Sequence, residues 1–284
     1  MWATAAVRGF VAFDDVLDVV CEGRPHLVLG LPAVGSTGRP PRDLPDWPST
    51  STPAADTSSA TRLAGVLIEW RRRRSDVRLV LPVAGDVRGV PTARRFLAAA
   101  LEAGQGVYGG GIGLVPTTVA AGPSSAPPTT RWQAFDVDDP ETDPLQINDA
   151  EHDLARAVRE TAALLREAQL GGVRGADPGQ IDRLRRIGED FRFATGFAPR
   201  AAALVTQAER LDAMLDLAER DSVGGAIDRG GISVRADALR GLRATVRRAR
   251  LAGYNGGYEA GFTDGTSVGR RTTDDAARDR ATSE

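Results

Sequence analysis

The chain contains no lysine, and all 36 of its basic residues are arginine. Arginine cannot serve as a Schiff-base amine or as the lysine that binds phosphate in a Walker-type nucleotide site. Both classes of site are therefore excluded. Asparagine occurs only at Asn148 and Asn255, whereas glycine contributes 32 residues. This bias is typical of a GC-rich genome, and selection against a lysine-directed modification is the alternative that the sequence leaves open.

Cysteine and histidine are almost as scarce as lysine. Cys21 is the single cysteine, and His26 and His152 are the two histidines. These ligands cannot complete the four-ligand set of a structural zinc site, and one cysteine cannot form an internal disulfide. No Gly-x-Ser-x-Gly motif supports a hydrolase triad. We therefore predict neither a metal site nor a cofactor, although the sequence leaves open whether the protein is an enzyme.

Long hydrophobic runs and an excess of one charge are also missing. No apolar stretch reaches the roughly 18 residues that a membrane span requires, and the N-terminus has no signal-peptide pattern. The 36 arginines and 38 acidic residues nearly balance, which gives a net charge of -2. A dedicated nucleic-acid-binding domain is usually strongly basic, so this balance argues against one. We expect a cytoplasmic protein without a membrane span.

Residues 1–137 alternate between helical and strand patterns, which predicts a small α/β domain. The pattern includes a strand at 77–82, a helix at 93–103 and a further strand at 106–115. A strand, a helix and a strand in close succession are typical of a βαβ crossover. We therefore predict a mostly parallel sheet of four strands, with residues 131–137 as an edge strand.

The rest of the chain has no strand pattern. Residues 138–147 are acidic and interrupted by proline, which predicts a linker between two domains. Residues 148–262 carry apolar side chains at helical spacing, so we predict a helical bundle or hairpin domain there. The Pro/Ser/Thr-rich stretch at about 35–59 and the polar residues 263–284 cannot form a core, and we predict that both are disordered.

The loop 85–89 is the best candidate for a ligand site in the first half. It follows the predicted strand and precedes the predicted helix, the place where α/β sheets often bind anions. Asp86 could act as an acid or a base, and Arg88 could bind a carboxylate or a phosphate. Alternatively, Asp86 caps the turn and Arg88 pairs with it. The Gly-x-Gly-x-x-Gly match at 104–109 follows a helix and enters a strand, the reverse of the order in a dinucleotide site.

The last long helix carries a second candidate, a stripe of four arginines beside an apolar stripe. The arginine stripe consists of Arg240, Arg243, Arg247 and Arg250. Such a basic amphipathic helix can contact nucleic-acid phosphates, an anionic membrane or an acidic partner. Alternatively, the apolar stripe packs inside the bundle and the arginines pair with acids of a neighbouring helix. Those acids are Asp212, Asp216 and Glu219.

These patterns favour a non-enzymatic adaptor or regulatory protein that makes protein–protein contacts through its helical half. The expected partner is another protein or a second copy of the chain. The alternative is an enzyme or a protein that binds a small anion or nucleotide at the Asp86 and Arg88 loop. A nucleic-acid contact through the arginine stripe is the weaker alternative.

Overall fold

A computed structural model describes most of the chain. The described residues are 1–21, 26–29, 58–119, 129–140, 145–168, 191–220 and 229–258, with single positions between 179 and 187. The predicted tail at 263–284 lies outside them. So does the predicted insertion at about 35–59, apart from the start of the third helix.

The described elements confirm an α/β region followed by helices. The first half contains α1 (Trp2–Val7), α2 (Phe13–Cys21), β1 (His26–Leu29), α3 (Ser58–Arg72), β2 (Arg78–Val80), α4 (Arg94–Ala103), β3 (Gly106–Gly109), β4 (Ile112–Val119) and β5 (Thr129–Asp136). The second half contains α5 (Ile147–Glu167), α6 (Pro199–Arg220) and α7 (Arg229–Gly256). Pro199 begins α6, as expected of a proline in the first helical turn.

The sheet is mixed and has five strands, so the prediction of a mostly parallel four-stranded sheet is wrong. The strand order is β1-β5-β4-β3-β2, and the β1–β5 pair is parallel while the other three pairs are antiparallel. The predicted βαβ crossover fails because β2 and β3 are antiparallel. The connection between β2 and α4 runs from residue 81 to residue 93, which is long enough for the chain to reverse before α4 begins.

The predicted strand at 106–115 is in fact a hairpin. Gly110 and Gly111 have φ angles of 53° and 84° and join β3 to β4, with Gly109 paired to Ile112. Two successive positive φ values form the turn that best matches the twist of a two-residue hairpin. The glycine run therefore reverses the chain.

The predicted edge strand at 131–137 is also misplaced. It corresponds to β5, which lies inside the sheet between β1 and β4. Its antiparallel register with β4 runs from Ile112↔Asp136 to Val119↔Thr129. The edges of the sheet are β1 and β2 instead. Sequence alternation alone does not reveal which neighbour a strand will acquire on each side.

The two faces of the sheet are covered by different helices. On one face, Trp70 of α3 packs with Leu114 and Ala134 of the sheet, and α1 and α2 complete this core. On the other face, Phe96 of α4 is fully buried. A Cβ atom at Gly113 would lie 2.6 Å from the Phe96 ring, so only glycine allows this close approach.

In the second half, α5 and α6 each pack along α7. Gly256 lies against Ile147, at the start of α5, and Gly253 lies against Val205, near the start of α6. Both helices are therefore antiparallel to α7. The shared core contains Leu154 of α5, Leu204 of α6 and Val246 of α7.

The two halves meet where α1 packs against the start of α6, through Ala5 and Phe197, and where the C-terminal part of α7 lies beside β2. The Asn255 side-chain oxygen accepts a hydrogen bond from the Leu79 N–H at 2.8 Å. Its amide nitrogen donates to the Leu79 carbonyl at 3.0 Å. One helical side chain thus pairs with a strand as a neighbouring strand would, and this contact places α7 next to the loop that follows β2.

Candidate functional site

The loop after β2 begins with a tight turn between Val83 and Asp86. The Asp86 N–H donates to the Val83 carbonyl at 2.9 Å, and the Val83 N–H donates to the Asp86 carbonyl at 3.2 Å. Gly85 has a φ of 86°, which a side chain would strain. This turn directs the Asp86 side chain toward α7 rather than toward the start of α4.

The Asp86 carboxylate is held by two arginines. Arg88 donates from Nε to Oδ1 and from Nη2 to Oδ2, both at 2.9 Å. Arg247 of α7 also donates to Oδ2, and its other terminal nitrogen donates to the Leu81 carbonyl at 2.9 Å. The side chains of Arg247 and Asp86 are only 12% and 20% exposed, whereas that of Arg88 is 74% exposed.

The charge environment keeps Asp86 ionised. The hydrogen bonds from Arg88 contribute most to holding its pKa well below the usual range; burial opposes them, and Arg247 lowers the pKa further. A carboxylate with so low a pKa is a poor general base at neutral pH. The two arginines instead make Asp86 a fixed link between the loop and α7.

The structure therefore brings together one residue from each candidate site, Asp86 from the loop and Arg247 from the arginine stripe. The depression beside them has a volume of about 440 Å³, and its lining among the described residues is 85–88. An anion bound there would compete with Asp86 for the Arg88 guanidinium. An anion site at Asp86 and Arg88 stays a prediction. In the observed geometry, Asp86 belongs to the turn and Arg88 pairs with its carboxylate.

Arg243 lies at the centre of the arginine stripe and contacts three carboxylates of α6. Its nitrogens donate to Asp212 at 3.1 Å, Asp216 at 2.9 Å and Glu219 at 2.9 Å. These are the acids that the alternative interpretation of the stripe named. The three carboxylates follow one face of α6, and a single guanidinium with its planar array of donors serves all three.

The flanking arginines of the stripe are paired as well. Arg250 donates to Glu209 at 2.8 Å and to Asp212 at 3.0 Å, while Arg240 pairs with Asp237 on its own helix. The Tyr254 hydroxyl also donates to Glu209, at 3.1 Å. Burial is the main cause of the raised pKa of Tyr254, and the negative charge of Glu209 adds to it.

All four stripe arginines thus contact a carboxylate of the chain itself. A nucleic-acid phosphate would have to compete with these carboxylates for each guanidinium. The contact between the arginine stripe and nucleic acid stays a prediction, which a binding measurement would test. The observed arrangement uses the stripe to join α7 to α6 and, through Arg247, to the α/β half.

The scarce residues singled out by the sequence lie apart from this region. Burial, and then the charge of Asp18, raise the pKa of the Cys21 thiol, which disfavours a nucleophilic thiolate. His26 is buried, and its Nδ1 accepts a hydrogen bond from the Trp132 indole at 2.8 Å. His152 contacts the Asn148 carbonyl at 2.8 Å, in the first turns of α5.

The described residues lack both a cluster suited to a metal ion and a helix suited to a membrane. In the part of the chain that the structure describes, no group of three or more Cys, His, Asp or Glu side chains has an arrangement suited to a metal ion. Among the same residues, no helix is both long and apolar enough to cross a membrane.

Sequence reasoning missed Asn255, which joins the two halves through its paired bonds to Leu79. A signal was available, because Asn255 is one of two asparagines and lies among glycines and tyrosines inside a helical pattern. Asparagine has poor helix propensity, so its place in a helix suggests a specific hydrogen-bonding role.

Comparison with known proteins identifies relatives along nearly the whole chain. Residues 1–147 match the model of the N-terminal domain of Rv1486c-like proteins, and residues 148–251 match that of the C-terminal domain. The uncharacterized protein Rv1486c of Mycobacterium tuberculosis is 31% identical over 281 residues, which cover 89% of this chain and 93% of the relative.

A second relative comes from another mycobacterium. The uncharacterized protein ML1804 of Mycobacterium leprae is 28% identical over 289 residues, covering 93% of this chain and 97% of the relative. No solved structure shows a significant match. The matches to both family models and the extent of the likeness to Rv1486c show that the chain belongs to the family of Rv1486c-like proteins.

Proposed function

We propose that the protein is a non-enzymatic adaptor or regulator that makes protein–protein contacts through its helical half. The observation that carries this proposal is a set of exposed apolar side chains on α5, α6 and α7. They are Leu164 of α5, Met214 of α6 and Val234 of α7, which are 42%, 46% and 43% exposed. Exposed apolar residues that adjoin across neighbouring elements form the kind of patch that marks an interaction surface.

The position of these side chains supports the proposal. The α/β half contacts α7 near its C-terminal end, at Arg247 and Asn255. Val234 lies 13 residues before Arg247, which corresponds to roughly 20 Å along a helix. Leu164 and Met214 lie in the C-terminal parts of helices that run antiparallel to α7. These three side chains are thus in the part of the helical half that lies away from Arg247 and Asn255.

The burial pattern of α5 supports the proposal further. Its last buried residue is Leu154, and the described residues from 155 to 168 are half-buried or exposed. The end of α5 therefore leaves part of its surface available to a partner. The charged residues near the centre of the stripe are already paired, so contacts there would be mainly apolar with a polar rim.

Site-specific photocrosslinking in cells of the native host tests this proposal. A photoreactive residue is placed at Leu164 or at Met214 of the full chain. Matched control positions are Ile68 of α3 and Leu101 of α4, two exposed apolar residues of the α/β half. We expect a discrete adduct from both helical positions, formed with another protein or with a second copy of the chain.

Adducts that form equally from the control positions would contradict a surface specific to the helical half. The absence of any discrete adduct from Leu164 and Met214 would contradict the proposal itself. A matched pair of variants adds a second measurement. Leu164→Gln should reduce the yield of the adduct formed from Met214, whereas Leu101→Gln should leave it unchanged.

A further inference from the structure

The turn after α3 places an arginine where helices usually end with glycine. The Arg74 N–H donates to the Arg71 carbonyl and the Ser75 N–H donates to the Trp70 carbonyl, both at 3.0 Å. This pair of bonds is the Schellman motif, whose residue after the C-cap adopts a left-handed conformation. Arg74 occupies that position with a φ of 49°, and among the described residues it is the one non-glycine residue with a positive φ.

Glycine at position 74 would relieve this backbone strain, because it has no Cβ atom. Glycine is abundant in this chain, with 32 residues, so the composition does not account for an arginine here. Left-handed conformations at non-glycine residues cluster at functional sites, where the surrounding structure holds the strained residue in place. The surface that the Arg74 side chain borders is therefore a candidate for such a site.

Arg74 borders an open depression of about 450 Å³ at the end of β2 opposite to the Asp86 loop. Among the described residues, its lining includes Arg73, Arg74, Arg78, Asp76, Asp139 and Gly110. The volume is within the range of small-molecule sites. Three arginines from the end of α3 and the start of β2 thus share one concave surface.

The acidic groups around the depression already have donors. Asp76 accepts a hydrogen bond from Arg8 at 2.9 Å, and Asp139 accepts one from the Gly110 N–H at 3.1 Å. Glu69, one helical turn before Arg73, is bound by Arg72 and Arg73. The described lining contains three arginines and two aspartates, so positive charge is in slight excess on this surface.

The hairpin turn fixes one wall of the depression. Arg73 donates to the Gly110 carbonyl, and Ser75 lies so close to Gly110 that a Cβ atom there would collide with it. The end of α3 and the turn between β3 and β4 are thus interlocked. A site on these elements would be preorganised before a ligand binds.

We propose that this depression binds a small phosphate-bearing molecule, with Arg74 and Arg78 as its principal ligands. Arginine is the residue best suited to phosphate, because its planar guanidinium donates two parallel hydrogen bonds. The site lies outside the helical half, so the inference goes beyond the proposed adaptor function and does not depend on it. Asp139 opposes the bound anion by like-charge repulsion.

Isothermal titration calorimetry of the full chain with inorganic pyrophosphate tests the site, and inorganic phosphate in a second titration shows whether one phosphate group is enough. We expect pyrophosphate to bind at low ionic strength, and more weakly at physiological ionic strength. Arg74→Gly should weaken binding about tenfold, as the loss of one charge-assisted contact would. This variant also relieves the positive φ, so its thermal midpoint should be unchanged or higher.

Three further variants sharpen the test. Arg78→Gln should weaken pyrophosphate binding to a similar extent, and Asp139→Asn should strengthen it while keeping an oxygen that can accept from Gly110. Arg240→Gln is the matched control, because it removes an exposed arginine far from the depression. The proposal is overturned if the wild-type chain does not bind pyrophosphate, if Arg74→Gly and Arg78→Gln bind it as well as the wild type, or if Arg240→Gln weakens binding equally.

Discussion

The arginine stripe of α7 and the arginines around the end of α3 are equally conspicuous in the sequence but differ in their surroundings. The stripe faces α6, which carries Asp212, Asp216 and Glu219 at helical spacing, and Arg243 binds all three. The arginines around the end of α3 share a single helical acid, Glu69, and border a depression lined by Asp76, Asp139 and a hairpin turn built from glycines. A run of like charges is therefore interpretable only once the element packed against it is known.

The largest expected loss of stability follows substitution of Arg247, the most buried arginine of the stripe. Arg247→Met should lower the free energy of unfolding by about 2–3 kcal/mol, because Asp86 and the Leu81 carbonyl both lose a donor in a half-buried contact. Urea denaturation measures the change. A loss below about 0.5 kcal/mol would mean that Arg88 alone satisfies Asp86.

Arg243→Gln tests the centre of the stripe. Removing the shared guanidinium leaves Asp216 and Glu219 without an arginine, while Asp212 keeps Arg250, and we expect a loss of about 1 kcal/mol from unpaired charge and repulsion. Arg240→Gln is the matched control, because its pair with Asp237 is exposed and worth less than about 0.5 kcal/mol. Equal losses for the two variants would contradict a special role for Arg243.

The pH dependence of stability tests the region at the end of α3 through Glu69, which lies beside the arginines there. The hydrogen bond from Arg72 is the main cause that lowers the Glu69 pKa from 4.5 to about 2, and Arg73 adds to it while burial opposes. A lowered folded-state pKa stabilises the fold above pH 4.5, and this contribution is lost as the pH falls toward 2.

Solvent screening limits the contribution of Glu69 to about 1 kcal/mol. Glu69→Gln should flatten the pH dependence of the unfolding free energy over this interval. The wild-type chain and the variant are compared by urea denaturation at a series of pH values. Parallel curves for the two proteins would show that Glu69 contributes nothing.

The smallest expected change is a gain in stability. Arg74→Gly should raise the free energy of unfolding by about 0.5 kcal/mol, because relief of the left-handed conformation outweighs the greater freedom of the unfolded glycine chain. Thermal denaturation at low and high salt measures it. A clear loss of stability would show that the Arg74 side chain has a structural role, and would weaken the argument for a ligand.

Local features of the fold were predictable from the sequence, and pairings over long sequence distance were not. The helix at 93–103 ends at Gly104, whose φ of 69° is the left-handed stop that glycine favours. The direction of β3 could not be predicted, because a long connection permits either direction. The link between Arg247 and Asp86 spans 161 positions, and neither residue carries a local signal for the other.

The same limit applies to Arg74. Four consecutive arginines at the end of a helix suit the helix dipole, and this explanation is sufficient for the sequence alone. The positive φ becomes visible only when the turn is built. A residue can thus satisfy one local rule and violate another, and the violation is the more informative of the two.

The pairing of Asn255 with Leu79 has a consequence for the behaviour of the protein in solution. β2 is an edge strand, and an open edge can recruit a strand from another molecule and so begin aggregation. By occupying both backbone groups of Leu79, Asn255 closes this edge with a helix instead of a further strand. The end of α7 therefore covers this edge of the sheet, and any event that lifts it would expose the backbone groups of Leu79.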